Sequence, residues 1–120
     1  MRLELIGINH RTSSIETRDK AAMSPERLSS SLLGLKEAET LEGVVIVSTC
    51  NRTEIYLSPL DHQHDNNLRY VFSTLTGLSD KESSMAYIYQ DDEAVAHLFR
   101  VASGIDSQLI GEVQILKQIK

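Results

Sequence analysis

A single cysteine, Cys50, stands in this sequence of 120 residues. One thiol can form neither an internal disulfide nor a multi-thiolate metal site, so no metal is expected and the chain fits a reducing compartment. Long apolar runs are lacking too. The longest purely apolar run is Val44-Val45-Ile46-Val47, far short of the roughly 20 residues a membrane helix needs, and no signal-peptide core follows the N-terminus. The expectation is a cytoplasmic chain with no membrane contact. Internal repeats and low-complexity tracts are missing. Positive charge is in deficit, with 12 Lys and Arg against 17 Asp and Glu for a net −5, which argues against a nucleic-acid binder held by a broad basic face. Nor is there a G-x-G-x-x-G, a G-x-x-x-x-G-K-[ST] or a G-x-S-x-G, so no known phosphate-cradling loop or nucleophile elbow is encoded.

What is present is ordinary for a single folded domain: 41% hydrophobic and 24% charged residues, near the globular average. The charge is uneven, because residues 1–20 and 96–120 together sum to +2 while 21–95 sum to −7. A polyanion, if one binds, binds at a local site built from the two ends.

The segment Leu3–Ile8 reads as a strand running into the polar cluster Asn9-His10-Arg11-Thr12. A short helix is expected over Ile15–Met23, and Ser24-Pro25 then reads as a cap and first turn for a helix carrying Leu28, Leu32 and Leu35 at i, i+4, i+7 and ending near Ala38–Thr40. Val44–Thr49 is a continuous β-branched run of the kind found in strands covered on both faces. Thr53–Ser58 follows as a second strand, with Ile55 and Leu57 on one face, before Pro59. Residues 61–67 read as loop. Leu68, Val71, Phe72 and Leu75 predict a helix closed by Gly77. Met85–Gln90 reads as a strand, and Asp91-Asp92-Glu93 as the cap and acidic first turn of a helix whose inner face is Val95, Leu98, Phe99 and Ala102, with His97 on its flank. Gly104 closes it, and a last helix is expected over Leu109–Lys120, within which the sequence stops as if cut. The order predicts an α+β fold, a ferredoxin-like split β-α-β-β-α-β antiparallel sheet with extra C-terminal helices.

Chemistry centres on Cys50, which ends a buried-looking strand among Thr49, Asn51 and Arg52. A guanidinium two residues away would favour the thiolate if the turn brings the two together. The alternative is a small buried hydrophobe at a strand end, although cores rarely surround a thiol with so many hydrogen-bonding groups. Four histidines could serve it. His62 and His64 lie in the hydrophilic loop and read as solvated, without further ligands at a metal-binding spacing. His10 follows the first strand and could be structural or part of a site. His97 reads as a flank residue by pattern, and Arg11 and Arg52 as surface residues unless an anionic ligand takes their bidentate fork.

Three stretches go beyond spacing. Ser48-Thr49-Cys50-Asn51-Arg52-Thr53-Glu54-Ile55-Tyr56 closely resembles the catalytic motif of the glutamyl-tRNA reductase family. His97 through Ser107, running into Gly111 through Lys120, resembles that family as well, and Gly7-Ile8-Asn9-His10-Arg11-Thr12 resembles its N-terminal signature. The resemblance covers nearly the whole chain. It implies reduction of glutamate, carried as an ester on tRNA(Glu), to glutamate-1-semialdehyde with NADPH, at the entry to tetrapyrrole (heme and chlorophyll) synthesis. On this sequence it implies that Cys50 is the nucleophile that takes the glutamyl group as a thioester. Thr49, Asn51 and Arg52 line the glutamate pocket, and Ser107, Glu112, Val113, Gln114 and Gln118 close it. Arg52 would pair with a substrate carboxylate and Glu112 with its ammonium. His97 matches a histidine important for activity, with acid/base or carbonyl-polarising work. Asn9 and His10 match the signature without a clear role.

Val113 stands where the family usually has proline, and Lys117 where it usually has glycine. By this reading residues 1–104 are a catalytic α+β core, and 105–120 hold the end of the pocket and the start of a linker helix. The NADPH domain and the dimerisation domain fall outside the chain. Glutamyl-tRNA(Glu), glutamate-1-semialdehyde aminomutase and a second copy are the implied partners. The alternative in a different class is a non-catalytic module that binds tRNA or a protein. A cysteine hydrolase is a third reading, short of an acid to orient His97.

Overall fold

The computed structural model describes residues 2–37, 41–59 and 67–103, and the backbone of 112–117. It is an α+β fold. The elements run β1 (Glu4–Asn9), α1 (Ile15–Ala21), α2 (Pro25–Lys36), β2 (Leu41–Ser48), β3 (Arg52–Pro59), α3 (Leu68–Thr76), α4 (Asp80–Ser83), β4 (Tyr87–Gln90), α5 (Asp92–Ala102) and β5 (Glu112–Lys117). The five strands form one sheet in the order β4-β1-β3-β2-β5, with every neighbouring pair antiparallel.

The ladder sorts the side chains into two faces, because residues alternate along each strand and partners across the sheet share a face. Ile88, Ile6, Ile55 and Ile46 form one row across β4, β1, β3 and β2. With Ile8, Val44 and Leu57 they pack against Ala21, Met23, Leu28, Leu68, Phe72 and Leu78 from the helical side. The opposite face carries a smaller cluster of Leu5, Val47, Tyr56 and Ala94. Strand β2 contributes to both clusters, as its unbroken β-branched run predicts.

Local signals explain most element ends. Ser14 and Ser24 cap α1 and α2 by accepting from Thr17 N and Arg27 N, and Pro25 opens α2. Arg27 then reaches across to the Leu75 carbonyl with Nε and Nη2, at 3.1 and 2.7 Å, satisfying an acceptor near the end of α3. Gly77 ends α3 at φ 77°, as its sequence position predicts. The one-turn helix α4, set by a Ser79/Glu82 capping box, is absent from the sequence reading. It leaves β4 to begin at Tyr87 rather than Met85.

The C-terminal segment and the cap of α5 depart from expectation. The predicted helix over Leu109–Lys120 is instead strand β5 over Glu112–Lys117, antiparallel to β2 from Ser48↔Glu112 to Gly43↔Lys117. The outer edge of β2 offers a row of backbone donors and acceptors, and a segment with β-branched Val113 and Ile115 is suited to pair with it. Asp91 does sit at the N-cap of α5, but its side chain makes no capping bond. Its Oδ1 accepts from Leu3 N at 3.1 Å, and its own N–H donates to the Leu3 carbonyl at 2.7 Å, so it tethers the entry of β1. Gly104, Ser107, Gln118, His62 and His64 lie outside the described residues.

Candidate functional site

Thr49, Cys50 and Asn51 connect β2 to β3, and the Thr49 N–H bond to the Arg52 carbonyl leaves Cys50 and Asn51 as the two residues at the tip. Two-residue hairpin loops usually need positive φ, yet neither residue is among those with positive φ. The Thr49 side chain supplies the alternative. Its Oγ1 accepts from Asn51 N at 3.0 Å and Arg52 N at 3.2 Å, while Thr49 N donates to the Arg52 carbonyl at 2.8 Å. Cys50 is exposed on this turn, so it is not the buried hydrophobe that a strand end might hold.

Register brings the quoted stretches to one end of the sheet. Asn9 pairs with Arg52 in the β1–β3 ladder, and Ser48 pairs with Thr53 on one side and Glu112 on the other. The backbone of Glu112, Val113 and Gln114 therefore runs beside Ser48, Val47 and Ile46, the strand leading into Cys50. Asn9 now has a structural role. Its Oδ1 accepts from Arg11 N at 2.9 Å, and its carbonyl accepts from Thr12 N and Ser13 N, each at 3.1 Å, closing the turn out of β1. His10 is half-buried and Arg11 exposed on that turn.

The second face of the sheet holds a group that sequence reasoning missed. Arg52, Glu54 and Tyr56 alternate along β3 with Thr53, Ile55 and Leu57, and so share the face opposite the main core. Glu54 is fully buried, Arg52 is 1% exposed and His97 4%. Glu54 Oε2 accepts from Arg52 Nη1 at 3.1 Å, from the Tyr87 hydroxyl, and meets His97 Nε2 at 2.6 Å. Its Oε1 accepts from the Tyr56 hydroxyl at 2.8 Å. The row containing Glu54 has Gly7 beside it on β1, and a Cβ there would stand 2.6 Å from Glu54 Cγ. The glycine of the N-terminal signature thus clears the path of this side chain.

Burial by itself would raise the Glu54 carboxyl, but hydrogen bonds from His97, Tyr87 and Tyr56 and the His97 charge hold it below its ordinary value. Burial and the neighbouring Glu54 charge push the Tyr56 and Tyr87 phenols well above the usual range. Both remain donors at any working pH.

His97 therefore points inward. The expected inner face of α5 included Phe99, yet Phe99 is 70% exposed, and Ala94 and His97 are the helix's buried residues. The reason lies across the interface, where β3 presents a carboxylate and β4 the rings of Tyr87 and Tyr89, 5.5 and 5.2 Å from the His97 ring. A carboxylate needs a polar partner, and histidine supplies one. The acid that meets His97 is Glu54. Its signal in the sequence was the i±2 spacing of Arg52, Glu54 and Tyr56 within a strand whose other residues are apolar, Thr or Ser.

Residues 6–120 match the profile described as glutamyl-tRNAGlu reductase, N-terminal domain. The chain belongs to this family. A glutamyl-tRNA reductase of Pseudoalteromonas translucida is 45% identical over 121 residues, covering 100% of this chain and 29% of that protein. One of Carboxydothermus hydrogenoformans is 43% identical, covering 100% and 27%. Among solved structures, the glutamyl-tRNA reductase from Methanopyrus kandleri superposes with a TM-score of 0.64 at 31% identity, over 92% of this chain and 24% of that one. The chain spans less than a third of the length of these relatives.

Among the described residues no group of three or more His, Cys, Asp or Glu is placed to hold a metal ion. No described helix is long and apolar enough to cross a membrane. Neither described strand-to-helix connection, Asn9 to Ser14 or through Asp91, carries a glycine.

Proposed function

We propose that this chain is the thiol-bearing lobe of a glutamyl-tRNA reductase and that Cys50 is its nucleophile. The observation that carries the reading is the exposed Cys50 thiol on a turn held by Thr49, two residues before an Arg52 whose guanidinium shares one carboxylate oxygen with His97. In the proposed step, His97 takes the Cys50 proton and the sulfur attacks the ester carbonyl of glutamyl-tRNA(Glu). The C–S bond forms as the ester C–O bond breaks, and His97 returns the proton to the departing tRNA hydroxyl. The product is a glutamyl thioester and free tRNA.

Thr49, Asn51 and Arg52 are proposed as one wall of the glutamate pocket, with Ser107, Glu112, Val113, Gln114 and Gln118 as the other. Arg52 would receive the substrate carboxylate and Glu112 the ammonium. Arg52 already pairs with Glu54, and a substrate carboxylate would accept a second charge-assisted bond that a glutamine amide accepts more weakly, so this pairing favours glutamate over glutamine. Val113 lacks the rigid φ of the family's usual proline but keeps Glu112 and Gln114 in register, and Lys117 adds a cation that an RNA partner could use.

For the whole reductase we propose NADPH-dependent reduction to glutamate-1-semialdehyde in tetrapyrrole synthesis, a homodimer, and glutamate-1-semialdehyde aminomutase as a partner. The free cysteine suits a reducing cytoplasm. We also read the order β4-β1-β3-β2, with parallel β1 and β2 joined through α1 and α2, as a ferredoxin-like split β-α-β to which β5 adds an edge.

The test is deacylation of labelled glutamyl-tRNA(Glu) by the chain and by its Cys50→Ser variant. Release of tRNA that depends on Cys50 supports the reading. Equal rates for the two would remove it.

A further inference from the structure

We infer that Glu54 is the positioning residue of His97: its carboxylate fixes the proton of the neutral imidazole on Nε2 and sets the orientation of the ring. The inference rests on the acid/base role given to His97 above and names the group that sets it.

The assignment follows from counting donors and acceptors. Four groups converge on the Glu54 carboxylate: the Arg52 guanidinium, two tyrosine hydroxyls and His97 Nε2. A guanidinium keeps its protons, and both phenols are held in the donor form. All three therefore favour an ionised Glu54, which can only accept. The 2.6 Å contact between Oε2 and Nε2 needs one hydrogen between the two atoms. With the carboxylate ionised, that hydrogen belongs to Nε2. In the neutral ring the lone pair is then at Nδ1.

The orientation is built in from several sides. Tyr87 and Tyr89 flank the ring, Ala94 gives α5 a close approach to the sheet on the turn before His97, and Gly7 leaves the room that the Glu54 side chain occupies. Glu54 touches His97 rather than substrate. Its effect on the reaction passes through the imidazole, as with a carboxylate that holds a catalytic histidine in one tautomer.

The experiment is nitrogen-proton correlation NMR of the chain labelled with ¹⁵N-histidine, read beside single-turnover acylation of Cys50 by glutamyl-tRNA(Glu). The expected wild-type result is a His97 ring protonated at Nε2. Glu54→Gln keeps the side chain's shape and loses the charge; Arg52 can only donate, so the amide oxygen takes the Oε2 position and Nε2–H should persist in a weaker bond, seen as faster exchange of the ring proton. The acylation rate should fall by about 10²-fold or more, the scale of a misplaced general base, with half-saturating tRNA changed by less than about threefold. Tyr87→Phe removes one donor and keeps the carboxylate, so His97 should stay protonated at Nε2. A wild-type Nδ1–H tautomer would overturn the inference whether or not Glu54→Gln folds. So would a Glu54→Gln variant with unchanged ring-proton exchange and unchanged acylation rate. Loss of all Cys50 acylation with an intact Nε2–H ring would instead overturn the proposed function and leave the tautomer assignment standing.

Discussion

Gly7 and Glu54 face each other across the β1–β3 ladder, and the space a Gly7 side chain would fill is taken by Glu54 Cγ and the Thr53 carbonyl, 2.6 and 2.9 Å from an ideal Cβ. The carbonyl is backbone and cannot swing aside. Gly7→Ala should therefore destabilise the fold by about 1–3 kcal/mol, the usual cost of overpacking, and disturb the Glu54 network. Gly43→Ala, also in a strand, meets nothing within 4 Å and should stay within about 0.5 kcal/mol of wild type. Urea midpoints for the two variants check the contrast.

Glu54 predicts a signed dependence on pH. Its folded pKa lies below its ordinary value of 4.5. The stability it contributes is thus fully present above that value and lost as pH falls through the folded pKa. Wild type should exceed Glu54→Gln in stability near neutral pH, and the gap should close as pH is lowered from about 6 toward 3. Paired denaturation curves across that range measure it, and a gap that widens on acidification would contradict the assigned direction.

The Thr49 hydroxyl, and not its methyl, should shape the Cys50 turn. Thr49→Val leaves the Asn51 and Arg52 N–H groups without the acceptor they have at 3.0 and 3.2 Å, at a cost of about 1–3 kcal/mol for groups that stay shielded from water. Thr49→Ser keeps that oxygen and should recover most of the loss. Thermal unfolding of the three proteins reads this out, and equal losses in both variants would contradict the role of the hydroxyl.

Legibility in the sequence tracked local chemistry. Ser24-Pro25, Gly77 and the two-faced run of β2 announced themselves because caps and alternation act within a few residues. Cys50 and Arg52 stood out through their unusual company. Glu54 did not, since a charged residue in a strand reads as solvent-facing until the partners that bury it are known, and those come from β4 and α5. His97 was misplaced for the same reason: counting apolar residues assigns Phe99 inward, whereas the carboxylate on the facing sheet selects the histidine. The segment over Leu109–Ile119 carries apolar residues that suit either period, and the free edge of β2 decides for a strand.

Acid-quenched mass spectrometry of the chain after brief mixing with glutamyl-tRNA(Glu) tests the central claim most directly. The proposed chemistry predicts one glutamyl group added to the peptide carrying Cys50, removed by hydroxylamine and absent from Cys50→Ser. A glutamyl group on another residue, or an unmodified Cys50 while tRNA is released at the same rate by wild type and Cys50→Ser, would contradict it.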